Sequence, residues 1–136
     1  MKNKILLLGL FCCSLISAKA QVLLDKGTGK NSFPIVSSST NAVICFDGKD
    51  ATVVRKSASL FVDDVRRVTG QELRIDESKP GKVSARYAII AGTIGKSEWI
   101  DALVSRHKID TAAIAGSWER YMIEVVNNPI PGIKKA

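Results

Sequence analysis

The chain has 136 residues, a formal net charge of +7, 46% hydrophobic and 6% aromatic residues, and three cysteines. That length suits one domain with a single core. The basic residues are scattered among acids, which argues against a nucleic-acid groove, where Lys and Arg gather on one face with aromatics between them.

Residues 1–20 predict a cleavable export signal. Lys2 and Lys4 supply its positive end, and residues 5–16 are apolar apart from Gly9 and Ser14. Ala18-Lys19-Ala20 then places small residues where a signal peptidase cuts, leaving Gln21 first. The apolar stretch is shorter than the roughly 20 residues a spanning helix needs, so no membrane span is expected after cleavage. Gly9-Leu10-Phe11 is a poor match to the small-residue box that precedes a lipid-modified cysteine. The mature protein is therefore expected in the periplasm or outside the cell. Cleavage removes three lysines and no acid, lowering the net charge to +4, and takes Cys12 and Cys13 with it. Cys45 is left alone in an apolar run, where a buried thiol with no disulfide partner is the ordinary outcome.

Residues 21–32 read as a polar leading segment. Short β-rich runs at 34–37 and 42–46, separated by Ser38-Ser39-Thr40-Asn41, predict two strands joined by a tight loop. Asp50 then stands where a carboxylate caps a helix. In that helix Val54, Ala58, Phe61, Val65 and Val68 recur at spacings of four and three, a single apolar face, and Gly70 marks its stop. The opposite face holds Arg55, Lys56, Asp63, Arg66 and Arg67, a solvated surface. A short strand is expected at 72–75, a polar loop with Pro80-Gly81, and a continuous apolar strand at 87–91, central in the sheet. Residues 97–107 predict a second amphipathic helix burying Ile100, Leu103 and Val104. Residues 109–116 form a turn-rich connection, and 119–126 alternate as a last strand. The order β-β-α-β-β-α-β predicts an α/β (α+β) fold, a mixed β-sheet with two helices packed on it. Asn127-Asn128-Pro129-Ile130-Pro131-Gly132 is turn chemistry, and residues 133–136 are expected to have no room for a further element. The strand at 119–126 would then be an unprotected edge whose return strand is missing.

Chemical signals are sparse. Gly92-Thr93-Ile94-Gly95-Lys96-Ser97 lies between a strand and a helix, but a phosphate-binding loop needs its first glycine where Ile90 stands. The glycines fit a sharp strand-to-helix turn, with Ser97 as helix cap. His107, the single histidine, suits the negative end of a helix, and spacing suggests no second metal ligand. Trp99 and Trp118 fit the core or its edge, or a sugar-stacking surface. Glu119 and Glu124 have opposite strand parity, so no pair of carboxyl groups facing across a cleft, as glycoside hydrolysis needs, can be nominated. No catalytic, metal or cofactor-binding residue is assigned.

Four runs in order, Phe33-Pro34-Ile35-Val36, Val65-Arg66-Arg67-Val68-Thr69-Gly70, Ile89 through Ser97, and Gly116-Ser117-Trp118-Glu119-Arg120-Tyr121, resemble the N-terminal domain of glycoside hydrolase family 115, the xylan α-1,2-glucuronidases. The similarity covers residues 33–136. The resemblance implies a small α/β domain ahead of a (β/α)8 barrel that releases glucuronic or 4-O-methylglucuronic acid from xylan by inverting hydrolysis. It further implies that a return strand, a helix and the catalytic barrel follow residue 136. On that reading residues 33–136 are an incomplete, non-catalytic domain, and contact with glucuronoxylan belongs to the barrel. The alternatives are a free-standing extracellular module that binds carbohydrate through Trp99, Trp118 or Tyr121, or a small exported domain that binds another protein through its open edge strand; a homo-oligomer is a separate expectation, with no surface assigned to it.

Overall fold

The computed structural model describes residues 32–136; the expected export signal and almost all of the expected leading segment lie outside them. The sheet is built around β1 (Val43–Cys45), whose three residues are all buried. A strand with neighbours on both edges and helices on both faces must be apolar throughout, and this one is. Successive side chains point to opposite faces. Ile44 and Phe46 pack with Ala58, Val62, Val65 and Leu73, while Val43 and Cys45 pack with Ala88, Trp99, Leu103, Ile130 and Ile133. Two apolar layers thus sandwich one sheet.

The first layer is set by α1 (Thr52–Thr69), which ends at Gly70 in a left-handed conformation, φ 71°, with the Gly70 amide donating to the Arg66 carbonyl. Only glycine adopts that geometry without steric cost, so the expected helix stop is realised. The buried face is Ala58, Val62 and Val65, with Val54 and Phe61 beside it. Val68, expected on that face, is 85% exposed. It sits in the last turn, past the edge of the surface that the helix covers.

β2 (Arg74–Asp76), β3 (Ala85–Ile90), α2 (Glu98–Ser105) and β4 (Ile133–Lys135) complete the fold. The strands lie in the order β2-β1-β3-β4. All three pairings between them are parallel, with Ile44 aligned to Ile75 on one side and to Ile89 on the other. One antiparallel bridge, Asn127 with Lys135, joins the edge. The α/β expectation holds, and β3 is an inner strand as foreseen. Because β1 connects through α1 to β2 on one side while β3 leads through α2 to β4 on the other, their carboxyl ends form the switch point where ligands bind in such sheets.

Two expected strands are absent, and one element appears that was not expected. Residues 34–37 are irregular: the Ser37 hydroxyl donates to the Thr40 carbonyl at 2.6 Å and accepts from its amide at 3.1 Å, closing a tight loop. Among the described residues only the Ala42 amide reaches back, to the Ile35 carbonyl at 2.9 Å. Pro34 has no amide to give a ladder. The segment instead lays Phe33 edge-on against Tyr87 and packs Ile35 and Val36 onto the α1 layer. Residues 119–126 form no strand, and Glu119 takes a left-handed φ of 54°. Residues 133–135, expected to have no room, form β4 beside β3. Gly132 makes this pairing fit: at φ 92° it lets its own carbonyl accept from Ala85, and a Cβ there would strike the Val83 carbonyl.

Candidate functional site

The switch-point crevice is bounded by residues 47–51 after β1 and residues 91–97 after β3. Asp47 accepts from the Lys49 amide at 2.9 Å through one carboxylate oxygen and from the Glu98 amide at 3.1 Å through the other. Asp50 accepts from Ala51 at 2.6 Å and, across the crevice, from the Thr93 amide at 2.7 Å. The two aspartates therefore tie the start of α1 to the start of α2. Asp50 is not the side-chain cap expected for α1, because Ala51 holds the N-cap position and makes no side-chain cap bond. Its second oxygen is committed to the neighbouring loop instead.

The remaining acids at this end are also engaged. Asp101 accepts from Gly95 at 3.1 Å. Glu77 grips Arg55 through both oxygens at 2.5 and 2.7 Å, and Glu98 meets Lys79 at 3.2 Å. Asp76 accepts from Ser78 and from Arg74. The amide hydrogen bonds from Lys49 and Glu98 hold Asp47 below the usual carboxylate range. Asp76 is also lowered: burial works to raise it, but the Ser78 hydrogen bonds and the Arg74 charge outweigh that.

The glycine-rich turn is occupied from within. Ser97 is completely buried and its hydroxyl has no partner. It packs against Gly92, where any Cβ would collide with the Ser97 side chain and with Ile100. Ser97 holds the N-cap position of α2 but makes no side-chain cap bond, so the expected hydroxyl cap is not formed. A phosphate here would find the Glu98 and Gly95 amides taken by Asp47 and Asp101, and four carboxylates close by. Beside it a polar cleft of about 210 Å³ is lined by Asp47, Lys49, Glu77, Lys79 and Glu98. A larger apolar groove, about 330 Å³, lies between α1 and β3, lined by Val54, Phe61, Ile89 and Gly92 among others.

Trp99 is fully buried, and its indole nitrogen donates to the Ser78 carbonyl at 2.9 Å. It cannot stack on a polysaccharide. Trp118 and Tyr121 are 87% and 82% exposed, so of the three aromatic candidates these two remain at the surface. His107 lies just past α2 in a left-handed conformation, φ 53°. Among the described residues no three potential ligands gather for a metal ion, and no helix is long and apolar enough to cross a membrane. Burial pushes the Cys45 thiol up to about 12, with the Asp76 charge adding and the Arg74 charge opposing.

Sequence reasoning did not single out Asp47 or the reach of Asp50 to Thr93. The available signal was an acid directly after an apolar parallel strand, the position that faces the crevice in this architecture. No protein-family model and no curated protein matches the chain.

Proposed function

We propose that residues 33–136 serve as a non-catalytic N-terminal domain of an exported glycoside hydrolase, similar to the xylan α-1,2-glucuronidases. In this role the domain buttresses the catalytic barrel and shapes one wall of its substrate cleft. The observation that carries the scaffolding role is the commitment of the acids at the switch point. Asp47, Asp50, Asp76, Glu77, Glu98 and Asp101 are each bonded to an amide or a cation of the fold itself. An inverting glycosidase needs one acid kept protonated and a second free to activate water, and Asp47, whose two oxygens both accept from backbone amides, is free for neither task. The hydrolase assignment itself rests on the resemblance of the four sequence runs.

Two measurements test the reading. The purified chain is expected to release no uronic acid from glucuronoxylan, and release would overturn the scaffolding role. Sequencing the gene past codon 136 is expected to show an open frame leading into a barrel, and a stop codon there would overturn the hydrolase assignment.

A second reading, a free carbohydrate-binding module, draws support from Trp118 and Tyr121, which stand exposed within three residues of each other. Titration with xylan oligosaccharides tests it cleanly, because Trp99 is buried and a change in fluorescence would come from Trp118. An unchanged spectrum at millimolar ligand would end this reading.

A further inference from the structure

Asp47 stands directly before Gly48, and nowhere else in the sequence does an aspartate or asparagine precede a glycine. Such a peptide bond carries its own chemistry. The Gly48 nitrogen attacks Cγ of Asp47, a water leaves, and a five-membered succinimide closes. Water then reopens the ring at either carbonyl, so the atoms balance. One opening restores aspartate; the other leaves isoaspartate, with the main chain routed through the former side chain and one methylene longer. Glycine favours the reaction because no Cβ crowds the attacking nitrogen.

The fold places this bond in a turn at the carboxyl end of β1, where the Asp50 amide donates to the Asp47 carbonyl at 3.0 Å and Gly48 is exposed to water. The Asp47 carboxylate is held on both oxygens, by the Lys49 amide at 2.9 Å and the Glu98 amide at 3.1 Å. Ring closure turns the face of the carboxyl group onto the Gly48 nitrogen and draws its oxygens off those amides. The amides also keep the group ionised, whereas water departs from the protonated acid. The Lys49 bond is local; the Glu98 bond comes from the start of α2, 51 residues away. We propose that Asp47–Gly48 is a modification site, forming isoaspartate when the start of α2 leaves the crevice and held shut by the Glu98 amide while it stays. Once formed, the longer main chain displaces the carboxylate, and the tie from the end of β1 to α2 is lost.

The inference does not depend on the hydrolase reading, since uronic-acid release plays no part in its test. The purified chain is aged at neutral pH, folded and in urea, then cut with trypsin. The peptide of residues 31–49 has Asp47 as its single acid, so isoaspartate there separates as an isomer of unchanged mass. It should form in urea more than about tenfold faster than in the folded chain. Glu98→Pro deletes the restraining amide at the first position of α2, where proline is tolerated, and Ser97 already has the extended backbone that a following proline requires. Glu98→Ala loses the same ion pair with Lys79 but keeps the amide. The folded proline variant should isomerise about fivefold faster than the alanine variant. Gly48→Ala should slow the product in both states. Equal rates folded and in urea would overturn the proposal, as would equal rates in the two folded Glu98 variants. Should Glu98→Pro fail to fold, the comparison with urea decides alone.

Discussion

Ser97 and Gly92 make a pair whose energetics can be read from geometry. The Ser97 hydroxyl is buried without a partner, a loss that removing the oxygen relieves. Ser97→Ala is therefore expected to leave stability unchanged or raise it by about 1 kcal/mol, measured by urea denaturation. Gly92→Ala forces a Cβ into Ser97 and Ile100 and should cost about 1–3 kcal/mol. Asp50→Ala breaks the bond to Thr93 along with the one to Ala51, and a loss of about 1–2 kcal/mol is expected. The lowered aspartates set the acid limit. Their folded pKa lies below the unfolded value of 3.8, so their contribution is complete above that value and disappears as pH falls through the folded one. Asp47→Asn should flatten part of this acid dependence in thermal melts between about pH 5 and 2. At the other extreme, Cys45 is raised from 9.0 to about 12, so the native state holds a proton that the unfolded chain gives up. Stability should fall as pH climbs above 9, and the native thiol should ignore a thiol reagent at pH 8 until the protein is unfolded.

At the scale of elements, α1 was the most legible part of the chain. Its period and its Gly70 stop follow from local chemistry, and both are realised. The phase of the apolar face was readable, but its length was not: Val68 fits the spacing and is exposed, because periodicity cannot say where the opposing surface ends. Val68→Lys should accordingly change stability by less than about 0.5 kcal/mol, while Val65→Ala should cost about 2 kcal/mol in the same denaturation assay. The strands were less legible, for a physical reason. A three-residue strand is specified by its neighbours more than by its own sequence. The run at 119–126 has strand character throughout, yet nothing among the described residues pairs with most of it. Ile133-Lys134-Lys135 has little such character and becomes β4 because β3 lies open beside it. The crevice was the least legible, since Asp47 reaches Glu98 and Asp50 reaches Thr93 across separations of 51 and 43 residues.

For the molecule as a whole, the parallel pairing of β3 with β4 carries a kinetic consequence. Ala85 meets Ile133 and Tyr87 meets Lys135, so this edge closes only after an intervening stretch of more than forty residues has been made. β1, at the centre, likewise waits for residues 88–90 before its second edge is covered. Non-local pairings of this kind are slow to form because loop closure must precede any reward in contacts. During synthesis, at about 5–20 residues per second, the early strands stay uncommitted for seconds. Late sheet closure of this kind keeps the chain open and threadable until β4 has been made, so the barrier to unfolding arises only then.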